Sequence, residues 1–260
     1  MKQYIVDAFT KHVFSGNPAA ICILDHELSD DLMQKMAIEN NLSETAFALL
    51  QGEDYQLRWF TPGGEIDLCG HATLASAYVI LHFLDPERTE VRFHTKSGVL
   101  TVKQEGELFA MDLPSFPMHP IEVTDQIVQA MGICPQAAYL GEDMVCVLKD
   151  EAEVRRVIPD LDVIRQLDGT TFNVTARGDQ YDCVTRSFAP KCGVAEDPVC
   201  GRAHCHVIPY WADQLQKKEL KACQASARGG ELYCRQEGER TILRGHAVLY
   251  AEADIHLEDQ

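Results

Sequence analysis

The feature that most constrains the fold of this 260-residue chain is an internal repeat. Each half carries the pattern Arg-x-Phe-x-Pro, then a short acidic loop, then Cys-Gly-x-Ala and an apolar segment. The first copy runs from Arg58 to the motif at Cys69, and the second runs from Arg186 to the motif at Cys200. A glycine follows each cysteine at the same spacing. This ordered repetition predicts two pseudo-symmetric halves.

The secondary-structure pattern is also doubled. Short β-rich runs surround an apolar segment over 71–84 in the first half and a predicted helix over 201–217 in the second. Many strands around one buried helix, twice, predict an α+β fold. Three prolines between residues 114 and 120 mark a connection. We therefore expect an N-terminal lobe over 1–116 and a C-terminal lobe over 117–260, with exchange of a strand between them left open.

Charge and cysteine content narrow the class of protein. The 40 acidic residues exceed the 23 Lys and Arg, for a formal net charge of −17. Such a surface repels phosphate backbones and anionic lipid, so we expect neither nucleic acid nor membrane as a partner. The N-terminus carries Asp7 where a signal peptide needs an apolar run. None of the ten cysteines forms a Cys-x-x-Cys pair, and we expect a cytoplasmic protein with free, mostly buried thiols.

Both Cys-Gly-x-Ala motifs lie where a loop turns into a buried helix. Helix N-termini carry unpaired N–H groups and a partial positive charge, so they bind carboxylates and phosphates. The glycines allow a ligand to approach the backbone closely. We predict that a small anionic metabolite binds at Gly70 and Gly201, in a cleft between the lobes. The alternative is that both glycines only form tight turns.

Groups able to transfer a proton accompany these motifs. His71 follows the first glycine, and Asp197 belongs to the loop before the second. Glu44 begins an otherwise apolar strand, where partial desolvation suits a general acid or base. Glu65 and Glu196 are expected to be loop residues without a catalytic role.

The cysteines of the repeat permit a second mechanism. Cys69 and Cys200 could act as paired acid and base on opposite faces of one ligand, although cysteine is also a common small core residue. We predict no metal site, because no recognised ligand spacing relates the clustered side chains of Cys200, His204, Cys205 and His206. Signatures of dinucleotide, P-loop and serine-hydrolase sites are absent from the sequence. This absence favours acid–base chemistry without a cofactor.

Ordered motifs cover essentially the whole chain: Val6-Asp7-Ala8-Phe9-Thr10, Gly16-Asn17-Pro18-Ala19-Ala20, Ser43-Glu44-Thr45-Ala46-Phe47, Arg58-Trp59-Phe60-Thr61-Pro62, Asp67-Leu68-Cys69-Gly70-His71-Ala72-Thr73, Glu196-Asp197-Pro198-Val199-Cys200-Gly201 and Gln224-Ala225-Ser226-Ala227-Arg228-Gly229-Gly230. With these motifs the sequence resembles the PhzF-like (phenazine biosynthesis-like) family, relatives of diaminopimelate epimerase. The resemblance implies two lobes, each a β-barrel-like sheet wrapped around a central helix. It also implies a cofactor-independent isomerase that forms a homodimer.

In the family's phenazine enzyme, a glutamate shuttles a proton during isomerisation of a dihydro-hydroxyanthranilate. The resemblance carries that role onto Glu44, with His71 and Asp197 as its neighbours. It also implies that Gly70 and Gly201 contact the substrate carboxylate through their backbone.

One residue departs from the family pattern. Arg202 stands where the family usually has serine, and it could clamp a more anionic substrate or simply fill the pocket. The substrate therefore stays open. Two alternatives also stay open: a two-cysteine epimerase or racemase of an amino-acid-like substrate that uses Cys69 and Cys200, and a relative that binds a small molecule or a protein without catalysis.

Overall fold

The computed structural model describes residues 1–257. Packing divides the chain into two compact units. The first unit comprises Met1–Asp112 together with the residues from Arg244 onward, and the second comprises Leu113–Leu243. Sequence analysis set one boundary at residues 116 and 117, whereas packing sets one after Asp112 and a second after Leu243.

The first unit contains eight complete strands and two α-helices among the described residues. The strands are β1 (Lys2–Ala8), β2 (Asn17–Leu24), β3 (Glu44–Gln51), β4 (Asp54–Thr61), β5 (Gly64–Ile66), β6 (Glu90–Thr95), β7 (Gly98–Glu105) and β18 (Ala247–Asp254), and the helices are α1 (Asp30–Asn40) and α2 (Gly70–Val79). A π-helical turn, Ile80–Leu84, extends α2.

The second unit contains eight complete strands and four α-helices. The strands are β9 (His119–Ile121), β10 (Ala137–Leu140), β11 (Met144–Val147), β12 (Phe172–Arg177), β13 (Cys183–Ala189), β14 (Val194–Asp197), β15 (Glu219–Gln224) and β16 (Gly230–Glu237), and the helices are α3 (Asp125–Met131), α4 (Glu151–Arg156), α5 (Leu161–Ile164) and α6 (Gly201–Leu215). Two further strands, β8 (Leu108–Pro114) and β17 (Arg240–Gly245), contain the points where the chain passes from one unit to the other.

The strand pairings repeat between the two units. In the first, β1 pairs antiparallel with β2, β2 parallel with β3, β3 and β4 antiparallel, β4 and β5 antiparallel, β4 parallel with β6, and β6 and β7 antiparallel. Strands β10 to β16 follow the same order of pairings in the second unit. The helices α2 and α6 occupy the same crossover between parallel neighbours in each. The predicted α+β fold with a doubled half is confirmed.

The helix α2 lies inside the first unit. Eight of its ten residues are buried, and it packs against β1, β2 and β3. A helix that is apolar on all sides has no face to offer to water, so strands must enclose it. The predicted helix over 71–84 is thus an α-helix that ends at Val79 and continues as the π-helical turn.

In the second unit an apolar core fills the side of the sheet that faces α3, α4 and α5. Its largest side chains include Ile127, Met131, Phe172 and Phe188. Sequence analysis did not predict the elements between residues 119 and 164, because these helices are too short to show a clear period. Among the described residues, no helix has both the length and the apolar character needed to cross a bilayer.

Candidate active site

The first unit brings Glu44 and His71 together. Glu44 is the first residue of β3, and the parallel register with β2 sets it beside Ala19. His71 is the second residue of α2 and is 4% exposed. The Glu44 Oε2 and His71 Nε2 atoms lie 2.9 Å apart. The separation holds the two groups within proton-transfer distance of each other, and neither atom has a well-aligned hydrogen-bond partner among the described residues.

Asn17 orients the ring of His71. The Asn17 Nδ2 atom lies 3.1 Å from His71 Nδ1, and an amide nitrogen can only donate. Nδ1 is therefore the acceptor, and in the neutral ring the proton is on Nε2, facing Glu44. If the ring becomes protonated, Nδ1 also becomes a donor, and Asn17 must turn its amide to present its oxygen instead.

The charge of the ring depends on its neighbours. Burial by itself lowers the pKa of His71, but the adjacent Cys69 and Glu44 groups outweigh burial and hold that pKa well above its usual value. The Cys69 Sγ atom is 3.5 Å from His71 Nδ1. Burial, reinforced by the Glu44 charge, raises the pKa of Cys69, so this residue is a neutral thiol. We attribute the raised pKa of His71 to the Glu44 carboxylate.

The local fold explains why Asn17 reaches this position. The preceding Gly16 has φ +67°, and a Cβ there would lie 2.1 Å from the carbonyl oxygen of Ala8. Only glycine fits this close approach. The chain thus turns sharply into β2 and places Asn17 at its first residue. The Gly16-Asn17-Pro18 motif by itself predicts no function for Asn17, and the glycine is the signal in the sequence that marks this position.

In the second unit Asp197 and Cys200 lie directly before α6. Asp197 is the last residue of β14, and its Oδ1 accepts the Val199 N–H at 3.2 Å. Cys200 is the N-cap residue, and its Sγ accepts the Ala203 N–H at 3.4 Å. Burial, with the nearby Asp197 charge, raises the pKa of Cys200 well above its usual value. Gly201 is the first residue of the helix.

Arg202 forms an ion-pair network at the first turn of α6. Its Nε donates to Asp143 Oδ2 at 2.8 Å and its Nη2 donates to Glu142 Oε2 at 2.9 Å. The guanidinium also lies over the ring of Phe116, 5.6 Å from its centroid. Asp143 is fully buried. Two carboxylates therefore already neutralise the Arg202 guanidinium, which the sequence suggested as a clamp for an anionic substrate. The role of Arg202 in substrate binding stays a prediction.

The acidic loop residues of the repeat form matched structural ion pairs. Arg58 Nε donates to Glu65 at 2.8 Å, and Arg186 Nε donates to Glu196 at 2.7 Å. A second guanidinium nitrogen in each pair binds the other carboxylate oxygen. Such bidentate pairs fix the loop before each helix, which agrees with the non-catalytic assignment of both glutamates.

The repeat also relates the environments of the two helix starts. Cys69 and Cys200 are equivalent, and therefore His71 corresponds to Arg202. Asn17 is the first residue of β2 and Asp143 directly precedes β11. Each contacts the second residue of the central helix in its unit, His71 or Arg202. Two residues further on, the registers pair Ala19 with Glu44 and Val145 with Asn173. The equivalent pairs are therefore Asn17 and Asp143, His71 and Arg202, and Glu44 and Asn173.

This correspondence has a chemical consequence. Arginine stays protonated and asparagine does not titrate in the physiological range. The second-unit residues Arg202 and Asn173 therefore cannot exchange a proton. The equivalent first-unit residues, Glu44 and His71, can each exchange a proton.

One group of side chains among residues 1–257 has the composition of a metal site. Ligand atoms of Glu44, Cys69 and His71 lie within 4.8 Å of one another. These residue types can bind zinc. However, Asn17 and Glu44 already face the two ring nitrogens of His71. The cluster at Cys200 considered from the sequence does not form such a group among the described residues.

Comparisons with known proteins agree with the repeat and the motifs. The profile of the family described as phenazine biosynthesis-like protein matches residues 6–253. An uncharacterized isomerase of Pseudomonas aeruginosa is 48% identical over 256 residues, which cover 97% of each chain. Another, from Halalkalibacterium halodurans, is 41% identical over 262 residues and covers 98% of each.

A solved structure is similar over nearly the whole chain. The crystal structure of a phenazine biosynthesis protein of the PhzF family from Enterococcus faecalis has a TM-score of 0.96 and 45% sequence identity. It covers 98% of this chain and 99% of its own. The predicted family is thus confirmed, and with it the isomerase class that the relatives' names carry. This chain belongs to the phenazine biosynthesis-like protein family, and it is an isomerase.

Proposed function

We propose that the protein is a cofactor-independent isomerase that moves a proton on a small carboxylate-bearing metabolite, with Glu44 as the acid/base. The supporting observation is the buried contact of 2.9 Å between Glu44 Oε2 and His71 Nε2. The Glu44 side chain is 13% exposed, so it is largely desolvated but not fully enclosed. A carboxylate in such a place is suited to proton transfer.

In this reaction the Glu44 carboxylate removes a proton from a substrate carbon. The electron pair of the broken C–H bond moves into the conjugated system of the substrate, and Glu44 becomes a carboxylic acid. Glu44 then returns the proton to a different carbon, which restores the carboxylate and completes the isomerisation. His71 Nε2–H remains beside the Glu44 oxygen and compensates its charge in the ionised state.

We assign binding of the substrate carboxylate to the backbone N–H groups at Gly70 and Gly201. Each glycine begins a helix, and N–H groups at a helix start are unpaired and carry partial positive charge. The family resemblance also assigns Asp197 to the catalytic group, whereas binding of the substrate by Arg202 rests on the chemistry of its guanidinium alone. The resemblance further implies a homodimer, and the N-terminal sequence with its free cysteines favours a cytoplasmic protein.

The thiol mechanism is less well supported. Burial raises the pKa of both Cys69 and Cys200, and a thiol must first become a thiolate to act as a base. Cys69 and Cys200 therefore enter this proposal as buried residues beside the binding groups.

The test is uptake of deuterium from solvent into a panel of small carboxylates, measured by mass spectrometry. The panel includes amino acids, diaminopimelate and dihydro-hydroxyanthranilate. We expect Glu44→Gln to abolish uptake, because the amide cannot accept the proton. The matched control is Glu90→Gln, since Glu90 also begins a strand but lies on the surface beside Lys103.

The outcomes separate the three candidate functions. Loss of uptake in Glu44→Gln but not in Glu90→Gln supports Glu44 as the acid/base. Uptake that survives in Glu44→Gln but disappears in a Cys69→Ala, Cys200→Ala double variant supports the thiol mechanism. Binding of a panel compound with no uptake in the wild type supports a non-catalytic relative.

A further inference from the structure

A group of fully buried polar atoms lies in the second unit, on β12, β13, β15 and α6. Asn173, Ser187 and Gln224 are each 0% exposed, and each has a side-chain oxygen without a hydrogen-bond partner among the described residues. His204 is also 0% exposed, and its Nε2 likewise has no partner there. Buried polar atoms in folded proteins nearly always bind protein or ordered water. These four atoms therefore need a partner that the neighbouring side chains do not supply.

The strand register brings the three oxygen-bearing side chains together. Asn173 on β12 is the Cα partner of Ser187 on β13. Gln224, on β15, is the Cα partner of Thr185 on β13. The Gln224 Nε2 donates to the backbone oxygen of Asp197 at 3.3 Å. Asp197 is itself the Cα partner of Ser187. Paired residues project to the same side of a sheet, so Asn173, Ser187 and Gln224 share one face, around Ser187.

His204 projects toward that same face from α6. His204 and Trp211 are seven positions apart, which is two helical turns, so they lie on one side of the helix. Trp211 Nε1 donates to Thr175 Oγ1 at 3.0 Å. Thr175 and Asn173 are two residues apart on β12 and point to the same face, whereas Phe172 belongs to the apolar core on the opposite face.

The hydrogen-bonding state of these side chains leaves an excess of acceptors. His204 Nδ1 is 2.7 Å from the carbonyl oxygen of Cys200, which can only accept. The Nδ1 atom therefore carries the proton, and Nε2 has a bare lone pair. Burial lowers the pKa of His204 to about 4, so the ring is neutral at neutral pH. Asn173 uses its Nδ2 on Met144 and Thr171, which leaves its oxygen as an acceptor.

We propose that these side chains form a buried water site, in which at least two ordered waters between them donate to His204 Nε2 and to the amide oxygens of Asn173 and Gln224. Water supplies two O–H donors, and a buried water typically makes about three hydrogen bonds. A cation is disfavoured there, because the four side chains are neutral and a buried charge needs a counter-charge. Ser187 can accept from the water or donate to it.

The site also has a positioning role, which rests on the proposed function. His204 binds the carbonyl of Cys200, and Gln224 binds the carbonyl of Asp197. Water that joins these two side chains therefore fixes both ends of the segment that carries Asp197 and leads into Gly201. In the first unit Thr73 holds the equivalent carbonyl, that of Cys69, through Oγ1 at 2.5 Å, and no histidine is needed.

The test uses histidine-selective nitrogen NMR and water-to-protein Overhauser effects on the full-length protein. We expect His204 to have its proton on Nδ1, an Nε2 resonance shifted by an accepted hydrogen bond, and a cross-peak between its ring protons and slowly exchanging water. The Ser187→Ala variant should keep all three signals, because water remains the donor. The proposal would be overturned if the His204 Nε2 resonance in Ser187→Ala lost the shift of an accepted hydrogen bond. It would also be overturned if the ring protons gave no cross-peak to water.

A second arm tests the positioning role. His204→Thr should restore the contact that Thr73 makes in the first unit and hold the Cys200 carbonyl, whereas His204→Phe cannot. We expect turnover to fall roughly tenfold further in His204→Phe than in His204→Thr. Equal turnover in the two variants would overturn the positioning role. The NMR signals need no turnover, so failure of the water site and failure of the proposed isomerase are distinguishable.

Discussion

The ion pair at the start of α6 predicts that Asp143→Asn destabilises the second unit by about 3 kcal/mol. Asp143 is fully buried, and its two oxygens accept from Arg202 Nε at 2.8 Å and from the Thr171 N–H at 3.1 Å. An asparagine retains only one oxygen, so its NH2 must face one of these donors. The substitution removes a charge-assisted hydrogen bond, which contributes about 1.5–3 kcal/mol, and leaves a donor unsatisfied.

The upper bound on the loss of stability in Asp143→Asn comes from the ion pair with the Arg202 guanidinium. Breaking a fully buried ion pair costs about 3–5 kcal/mol. The Arg202 side chain, however, is 31% exposed and keeps its contact with Glu142, so we place the cost at the lower end of that range. The Glu142→Gln control should cost less than about 1 kcal/mol, because Glu142 is 59% exposed and water screens its charge.

Arg202→Ser should be the most damaging change in this network. It removes the guanidinium from the buried Asp143 carboxylate, whose remaining basic neighbour is His206 Nε2, 3.4 Å away. We expect a loss of about 4 kcal/mol. Urea unfolding followed by tryptophan fluorescence measures these differences. A Trp59→Phe background leaves Trp211, in α6, as the reporter of the second unit.

The order of the three variants in lost unfolding free energy tests whether the buried ion pair stabilises the start of α6. If Asp143→Asn costs no more than Glu142→Gln, the buried pair does not stabilise the start of α6 and our reasoning is refuted. If Arg202→Ser leaves stability unchanged but raises the KM for an anionic substrate, Arg202 is the carboxylate clamp that the sequence suggested.

Three further predictions concern the first unit. Asn17→Leu should lower deuterium uptake on the order of 10²-fold and, at a pH above the raised pKa of His71 where the ring is neutral, change the tautomer of that ring, read by nitrogen NMR; an unchanged tautomer there would exclude a positioning role. Because the pKa of His71 is raised in the folded state, the stability from its pairing with Glu44 is complete below about pH 6.5 and is lost as pH rises through that raised pKa. Glu44→Gln should therefore destabilise the protein more at low pH than at high pH. A difference in unfolding free energy between wild type and Glu44→Gln that widens as pH rises would contradict this expectation. Gly16→Ala should cost at least about 2 kcal/mol more than Gly52→Ala in denaturant unfolding, because both glycines have φ +67° but only at Gly16 would a Cβ meet backbone, 2.1 Å away; equal costs would exclude the clash.

The sequence predicted the doubled fold because the repeat preserves residues with a strong structural reason. Arg58 and Arg186 form the same bidentate pair with a loop glutamate, and each Cys-Gly step begins a central helix. Ser29 is the cap of α1, and its side chain accepts the Leu32 N–H three positions along the chain. Such features depend on neighbours in sequence, which one chain alone reveals.

The elements that the sequence did not reveal depend on contacts between distant residues. The short helices α4 and α5 have six and four residues, too few for a helical period. Asp143 ends a turn that looks like an ordinary polar loop, and its burial becomes apparent only when α6 brings Arg202 against it. The contact of Asn17 with His71 spans 54 positions in the chain, so no local pattern encodes it.

The comparison of the two helix starts gives a physical reason why the helix start of the first unit, and not that of the second, is suited to the proposed acid–base role of Glu44. A duplicated scaffold offers the same three positions twice, and the residue types decide what each copy can do. Arg202 cannot lose its proton in the physiological range, and Asn173 has none to exchange there, so the second copy has a permanent charge held by Asp143. At the equivalent positions of the first copy, Glu44 and His71 can each gain or lose a proton, 2.9 Å apart. One copy thus provides fixed electrostatics and anchors a helix, while the other provides groups that can change charge during a reaction.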